Sequence, residues 1–269
     1  MFQVQILGTN DGKVFHFFER ECSIQRRHQK VIEEAPSPFI GDDENLRKEI
    51  CETAVGLARA VDYNSAGTVE FIMGEDRKYY FLEMNTRIQV EHPITEEITG
   101  FDLVANMIKS ALGDPLDIND QSEVSHRGHS IECRICSEDP ITMLPAPGKI
   151  LGLETDFPQG TRFDHCLRVG TEITSEFDPM VGKLITTGLN REVAIRKMAS
   201  ALDGLKLYGL RTNIKLLQEM IKDDVYKSGI YTTQFIEKYR PQDRISTDVD
   251  MMDLNKFVAA LEASIVREQ

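Results

Sequence analysis

The chain has 269 residues, and 31 lysines and arginines against 44 aspartates and glutamates give it a formal net charge of −13. Hydrophobic residues make up 41% and charged residues 28%, which excludes a disordered or fibrous chain and leaves enough apolar residues for a sizeable core. The sequence contains no run of about 18 apolar residues, so it predicts no transmembrane helix. The excess of acidic residues argues against a nucleic-acid binder. We therefore expect neither a membrane nor a nucleic acid as a partner.

Hydrophobic periodicity and turn signals place the elements of the first part of the chain. In chain order they predict strands at 2–8 and 14–19, a helix at 43–61, strands at 67–73 and 78–84, and a short helix at 102–112. Asp42 or Asp43 can cap the first helix, and Gly113 can end the second.

The same signals continue through the rest of the chain. They predict strands at 130–135, 148–154, 161–167 and 180–187, helices at 190–205, 212–222 and 232–239, a polar linker at 241–250, and a final amphipathic helix through Leu254 and Ile265. Blocks of strands and helices without regular βαβ alternation predict an α+β fold with mainly antiparallel strands.

Five cysteines, an odd number spread along the chain, indicate a reducing cytoplasm rather than a disulfide framework. The first residues show no signal-peptide pattern. Cys133 and Cys136 have CxxC spacing, but no second pair accompanies them, and residues three apart in a strand point to opposite faces. The sequence therefore favours two structural cysteines over a zinc or redox site.

A polar strip at 83–91 is the most informative stretch of the sequence. Every second residue is polar: Glu83, Asn85, Arg87, Gln89 and Glu91. An extended chain would place all five on one face, either as the solvated side of an edge strand or as a functional surface. Acids, amides and an arginine together favour the functional interpretation, because they combine metal ligands with an anion-binding fork.

The preceding strand supports a metal site. If Gly74 pairs with Tyr79, Glu70 lies opposite Glu83 with Cβ atoms about 5 Å apart, a repulsion that a divalent cation would relieve. Oxygen ligands from Glu70, Glu83 and Asn85 suit Mg²⁺ or Mn²⁺. A slip of one residue in the register would instead put the two acids on opposite faces.

Distance divides the strip into two parts. Glu83 and Glu91 would be about 26 Å apart in an extended chain, so one metal cannot serve both. Either the chain bends after Asn85, or the strip holds a metal and phosphate subsite followed by an anion and proton-transfer subsite. In the second subsite Arg87 could bind an oxyanion and Glu91 could act as a general base.

A second cluster is basic although the chain is acidic overall. Four cations, Arg20, Arg26, Arg27 and Lys30, stand against Glu21. A solvated basic turn is the simple interpretation, but a metal site downstream makes nucleotide-phosphate binding the better one. The sequence has no GxxxxGK[ST] loop, so a P-loop enzyme is excluded.

Seven stretches of the sequence resemble a known protein family, and the resemblance extends to about Tyr239. They are Ser23–Pro36, Ala66–Phe71, Phe81–Pro93, Arg127–Arg134, Glu138–Pro140, Leu144–Lys149 and Asp178–Lys183. Together they resemble the biotin carboxylase family of ATP-grasp ligases, and the Arg-Ile-Gln-Val-Glu-His string at 87–92 is the most specific. The resemblance implies an ATP-grasp C-terminal part at 1–123 and a biotin carboxylase C-terminal domain at 124–240. The predicted linker and amphipathic helix at 241–269 lie beyond the part that resembles the family.

The resemblance also implies a role for each matching residue. Glu70, Glu83 and Asn85 would hold the divalent metals that bridge the ATP phosphates. The ATP-binding set would be Gln25, His28, Lys30, Glu70 and Glu83.

The resemblance implies that the other matching residues take part in the carboxylation reaction. Arg87, Gln89 and Val90 would bind bicarbonate, and Glu91 would deprotonate it for attack on the γ-phosphate of ATP to give carboxyphosphate. Arg134, with Arg87 nearby, would stabilise the biotin enolate that captures CO₂. The cofactors implied are ATP, Mg²⁺ or Mn²⁺, and biotin on a carrier protein. The partners implied are that carrier, a carboxyltransferase and a second copy of the parent chain.

The sequence also departs from the family. In the family a nucleotide-fold domain and a lid with a Gly-rich loop come before this segment, and the 269 residues do not include them. Met1 and Gln3 stand where relatives commonly have His and Glu. We therefore expect a fragment that folds but has little turnover alone. The alternatives are a non-catalytic dimerisation or carrier-docking module and another ATP-grasp ligase, which Arg134 within Glu-Cys-Arg disfavours. The acceptor stays open among acetyl-CoA, propionyl-CoA, other acyl-CoA, pyruvate and urea.

Overall fold

A computed structural model describes residues 1–239 and 241–245. The strands in this part are β1 (Phe2–Gly8), β2 (Val14–Arg26), β3 (Gln29–Ala35), β4 (Ser65–Met73), β5 (Tyr79–Asn85), β6 (His129–Cys136), β7 (Gly148–Lys149), β8 (Gly152–Thr155), β9 (Thr161–His165), β10 (Glu172–Ile173), β11 (Met180–Gly188) and β12 (Leu205–Tyr208). The helices are α1 (Glu44–Ala60), α2 (His92–Thr99), α3 (Leu103–Leu112), α4 (Arg191–Gly204), α5 (Ile214–Lys222), α6 (Asp224–Ser228) and α7 (Phe235–Tyr239).

One eight-stranded sheet organises the molecule, in the order β5-β4-β1-β2-β3-β6-β11-β9. Each pairing between neighbouring described strands is antiparallel, which confirms the predicted α+β class. The sheet contains strands from both sides of the expected boundary between residues 123 and 124, because β3 pairs with β6 through Ile32 and Cys133. Side chains from both parts of the chain can therefore meet on one sheet face.

Helix α1 covers one face of the first strands. Asp43 caps it by accepting from the backbone N–H of Leu46, and Ile50 and Ala54 pack in one core with Val4. Full burial of an aliphatic side chain of this size contributes roughly 1.5–3 kcal/mol. The opposite face of β1 carries Gln3 and Gln5, both buried, so polar groups there must find partners inside the protein.

A second core lies at the other end of the sheet. The apolar residues of α4 and α5 pack against one face of β6 and β11, where Ile131, Cys133 and Leu184 are buried. Helix α2 covers the opposite face of these strands, and its Ile94 and Ile98 belong to one buried cluster with Ile185 of β11. The sheet is thus covered by helices on both sides at the place where β3, β6 and β11 adjoin.

Several predicted elements differ from those observed. The strand predicted at 14–19 runs on to Arg26, and β3 and α2 were not predicted at all. The strand predicted at 148–154 is split into β7 and β8, which pair with different partners. Helix α2 begins with Pro93 in its first turn and ends at Gly100 in a left-handed conformation, which are ordinary helix signals in a segment for which no element was predicted.

The linker and final helix predicted from residue 241 onward fall largely outside the described residues. Of that stretch the structure describes 241–245, where Pro241–Asp243 forms a short 3-10 helix. Among the helices of the described part, none has the length and apolar character needed to cross a membrane.

Candidate active site

The β4–β5 hairpin brings the predicted acidic pair together. Glu70 and Glu83 lie directly opposite each other. The predicted pairing of Gly74 with Tyr79 is wrong, because Tyr79 pairs with Met73. A bulge on β5 between Phe81 and Glu83 restores the expected alignment, since it adds one residue to that strand.

The hairpin offers oxygen ligands to a cation. The Asn85 side-chain amide donates to Glu70 Oε1 at 3.2 Å and to Glu83 Oε1 at 3.1 Å, and Glu83 is exposed at the surface. No group of three or more His, Cys, Asp and Glu side chains in the described residues could hold a metal. Two carboxylates and an amide oxygen nevertheless suit Mg²⁺, which usually retains water or substrate phosphate as its other ligands.

The chain turns away after Asn85, so the predicted extended strip over 83–91 is wrong beyond that residue. The turn buries Gln89, whose amide donates to Glu70 Oε1 at 3.1 Å. It also brings Glu91 back beside Glu70, because Lys30 Nζ donates to Glu70 Oε1 and to Glu91 Oε1, each at 2.7 Å. The first of the two geometries left open by the sequence, a bend, is the observed one.

Glu91 lies at the centre of a buried cationic network. It is 1% exposed and accepts from Gln3 Nε2 at 2.6 Å and from Arg134 Nη2 at 2.9 Å, in addition to Lys30. Burial alone would raise the pKa of its carboxyl group, but Lys30, Arg134 and Arg20 lower the pKa to about 2. Glu91 is therefore a carboxylate at neutral pH.

Arg134 is held between two carboxylates from different parts of the chain. On β6 it donates through Nε to Glu33 Oε1 at 2.6 Å, and through Nη2 to Glu91. Burial would lower the pKa of its guanidinium, and the surrounding acids Glu33 and Glu91 raise it instead. These contacts fix the orientation of the guanidinium next to the predicted base.

One cleft of about 580 Å³ gathers the predicted residues. It is lined by all eleven of them, Gln25, His28, Lys30, Glu70, Glu83, Asn85, Arg87, Gln89, Val90, Glu91 and Arg134, together with Met1, Gln29 and Leu82. His28 and Arg87 lie exposed at its surface, whereas Gln89 and Glu91 are buried. The cleft combines carboxylates, cations and amides, which is the composition of a site for anions and a metal.

Comparison with known proteins agrees with this geometry. The description "Carbamoyl-phosphate synthase L chain, ATP binding domain" matches residues 2–119, and "Biotin carboxylase C-terminal domain" matches residues 132–238. The chain belongs to the biotin carboxylase family. Arg134 comes from the second matched region and Glu91 from the first, so the two regions share the cleft.

Relatives in this family include proteins named biotin carboxylase and a longer chain named as part of a propionyl-CoA carboxylase. "Biotin carboxylase 2" of Bacillus subtilis is 45% identical over 88% of this chain and 53% of its own length. The mitochondrial propionyl-CoA carboxylase alpha chain of Homo sapiens is 45% identical over 89% of this chain and 33% of its own. The chain therefore spans about half, or less, of the curated relatives it matches.

A solved relative shows the fold together with ligands. The biotin carboxylase domain dimer of Hydrogenobacter thermophilus 2-oxoglutarate carboxylase, described as a complex with MgADP, ADP and bicarbonate, has a TM-score of 0.85 and 41% sequence identity. It is matched over 88% of this chain and 52% of its own.

Three side chains outside the predicted set of site residues contact residues that line the cleft. Gln3 accepts from Lys30 Nζ at 2.7 Å, Arg20 donates to Gln89 Oε1 at 3.3 Å, and Lys183 Nζ donates to the Val90 carbonyl oxygen at 2.8 Å. One signal was available, because glutamines at 3 and 5 interrupt an otherwise apolar first strand with period two. Arg20 was predicted only as a member of the basic cluster, and no local pattern specifies the contacts of Arg20 and Lys183 with Gln89 and Val90.

A larger cavity, of about 720 Å³, lies between α1 and the start of β2. Its buried arginine, Arg47, is already paired with Glu19 at 3.0 Å and also with Glu44. Lys48 and Glu52 at its rim form an exposed pair at 3.7 Å. Because these charges are committed to each other, we assign the chemistry to the smaller cleft.

Proposed function

We propose that this chain contributes the phosphate-, bicarbonate- and base-carrying part of the site of a biotin carboxylase. The reaction is the carboxylation of biotin on a carrier protein, driven by ATP and proceeding through carboxyphosphate. The observation that carries the proposal is the single ammonium group of Lys30, which bridges Glu70 of the proposed metal site and the proposed base Glu91.

Glu70, Glu83 and Asn85 would hold Mg²⁺ or Mn²⁺, which when bound neutralises charge on the ATP phosphates. The opposition of the two carboxylates in the hairpin register supports this set. Lys30, with Gln25 and His28 along the same wall of the cleft, would bind the phosphates. The complex of the Hydrogenobacter relative with MgADP is consistent with this assignment.

Glu91 would accept the proton of bicarbonate, while Arg87, Gln89 and the Val90 backbone hold the anion. A carboxylate with a pKa of about 2 is a weak base in the arrangement described above. Anionic substrates that draw Lys30 and Arg134 toward themselves would remove the charges that lower this pKa, and the base would become stronger. Arg134 would then stabilise the enolate of biotin.

The wider assembly belongs to the same proposal. The curated relatives are about twice as long as this chain or longer, so we propose that full turnover also requires the parts of those proteins that lie outside the matched region. A biotin carrier, a carboxyltransferase and a second copy of the chain would be the partners, and the Hydrogenobacter relative is described as a dimer.

Metal-dependent ATP binding tests the proposal at the site itself. Titration calorimetry with Mg–ATP, and with ATP plus a chelator, should show affinity that requires Mg²⁺. Glu83→Gln should weaken binding about tenfold or more, equivalent to about 1.4 kcal/mol, because it removes a metal ligand. Glu75→Gln, the same charge change in the turn of the same hairpin, should leave binding within about twofold.

Two results would count against the proposal. Equal Mg–ATP affinity of Glu83→Gln and the unaltered chain would contradict the proposed metal site. Biotin-dependent ATP cleavage by the 269-residue chain at the rate of a longer biotin carboxylase would contradict the need for further chain.

A further inference from the structure

A buried acidic pair lies behind Arg134 and is not used by the proposed chemistry. Glu132 on β6 is fully buried, and neither of its carboxylate oxygens has a hydrogen-bond partner among the described residues. It lies directly opposite Glu33 on β3, whose Oε2 also has no partner in that part of the chain. Buried polar atoms are rarely left unpaired, so this pair requires a physical explanation.

Too little positive charge reaches the pair to keep both acids ionised. Arg134 donates to Glu33 Oε1 at 2.6 Å, and Lys183 on β11 donates to the Val90 carbonyl oxygen at 2.8 Å and pairs with Asp164 at 3.7 Å. Both cations lower the pKa of Glu132, but burial and Glu33 outweigh them. Glu91 adds a further negative charge nearby. Two carboxylates facing each other in a buried site cannot both lose their protons without compensation.

Helix α2 and strand β9 contribute no free cation to the pair. On α2, His92 is engaged with the Gln89 carbonyl oxygen, and Glu96 and Glu97 are acids. Arg162 on β9 is paired with Asp164 and Glu96. The helices on the far side of the sheet, α4 and α5, turn apolar residues toward it. Burial, followed by the charge of Glu33, therefore raises the pKa of Glu132 well above its usual value.

We propose that Glu132 is a protonated carboxylic acid at neutral pH, that its O–H donates to the free Oε2 of Glu33, and that this pair positions Arg134. The shared proton satisfies Glu33 Oε2 and leaves Glu33 Oε1 to hold Arg134 Nε. The guanidinium then directs Nη2 to Glu91 Oε2 at 2.9 Å. An ionised Glu132 would compete for the same guanidinium. The functional importance of the position of Arg134 rests on the proposed function, whereas the protonation of Glu132 does not.

Infrared spectroscopy tests the proton directly. The chain in D₂O at pH 7 should show the C=O band of a protonated carboxylic acid, and Glu132→Gln should lose it. Glu97→Gln, which removes a partly exposed glutamate on α2, should keep the band. A band that survives in Glu132→Gln, or its absence from the unaltered chain, would overturn the proposal.

Stability as a function of pH provides a second measurement that needs only the unaltered chain. An acid whose folded pKa is raised contributes stability that is present below its unfolded pKa of about 4.3 and is lost as the pH rises through the folded pKa. The unaltered chain should lose stability in that window, and Glu132→Gln should lose less. Parallel curves for the two proteins would overturn the proposal.

The positioning of Arg134 has its own spectroscopic signature. The Nε–H resonance of Arg134, assigned by its loss in Arg134→Lys, should stay in place in Glu132→Gln, because the glutamine amide can also donate to Glu33. It should shift in Glu132→Leu, which has no donor. An unmoved resonance in the leucine variant would overturn the positioning role. Neither spectroscopic result depends on ATP, so failure of the Mg–ATP test and failure of this inference can be told apart.

Discussion

Lys30 shows how much of the site depends on one side chain. Its ammonium donates to Gln3 Oε1, Glu70 Oε1 and Glu91 Oε1, each at 2.7 Å, so all three N–H groups are used. Burial would lower the pKa of this group, but neighbours that include Glu91 and Glu70 raise it. A lysine suits the position because its three donors diverge from one point, whereas an arginine presents a planar fork.

The stability of the folded protein at acidic pH should report the cations around Glu91. Its folded pKa of about 2 lies below the unfolded value of about 4.3, so the ionised form contributes stability above pH 4.3 that is lost as the pH falls toward 2. In urea unfolding between pH 7 and pH 2, Glu91→Gln should therefore lose about 3 kcal/mol less stability than the unaltered chain. Glu52→Gln, on an exposed face of α1, should lose as much as the unaltered chain. An unaltered pH dependence in Glu91→Gln would show that the cations do not stabilise its charge.

The β4–β5 hairpin depends on a glycine where two elements approach closely. A Cβ at Gly67 would lie 3.0 Å from the Asn85 carbonyl oxygen and 2.8 Å from the Tyr63 ring. Gly67→Ala should therefore displace the end of β5, destabilise the fold by about 1–3 kcal/mol in urea unfolding, and weaken Mg–ATP binding. Gly56→Ala on α1 meets no atom within 4 Å and should leave the fold equally or more stable. Equal stability of the two variants would contradict the close approach.

This hairpin also shows how far sequence reasoning reaches. The opposition of Glu70 and Glu83 was predicted from an assumed pairing of Gly74 with Tyr79, and that pairing is wrong. The opposition holds because the bulge at Leu82, which nothing in the local sequence marks, shifts the register by one residue. The alternation of polar residues continues past Asn85 although the strand does not, so Gln89 and Glu91 reach the cleft by a bend and not by sharing a strand face. Arg20 contributes through a side-chain contact with Gln89, which lies 69 residues further along the chain, and no local pattern specifies that contact.

At the scale of the whole molecule, the β3–β6 pairing joins the two regions matched by the family descriptions. Contacts cross it on both faces of the sheet: Arg134 meets Glu33 on the cleft side, and His129 meets Glu34 on the other. Arg26 adds a two-pronged pair with Glu138, both contacts at 2.6 Å. The active cleft therefore needs this junction intact, because its proposed base and its proposed enolate-stabilising arginine come from opposite sides of it.

Glu34 is the strongest test of the junction. Its buried carboxylate accepts from His129 Nε2 at 2.6 Å, from Arg191 Nε at 2.7 Å and from the Tyr231 hydroxyl. Burial would raise its pKa, but the hydrogen bonds from His129 and Arg191 lower it to about 2. Glu34→Ala leaves these donors without their acceptor and should lower the free energy of unfolding by about 3–5 kcal/mol at pH 7. The exposed control Glu52→Ala should change it by less than about 0.5 kcal/mol. Because one sheet joins both regions, circular dichroism and tyrosine fluorescence should follow a single transition in each protein, and two separate transitions would show that the regions fold independently.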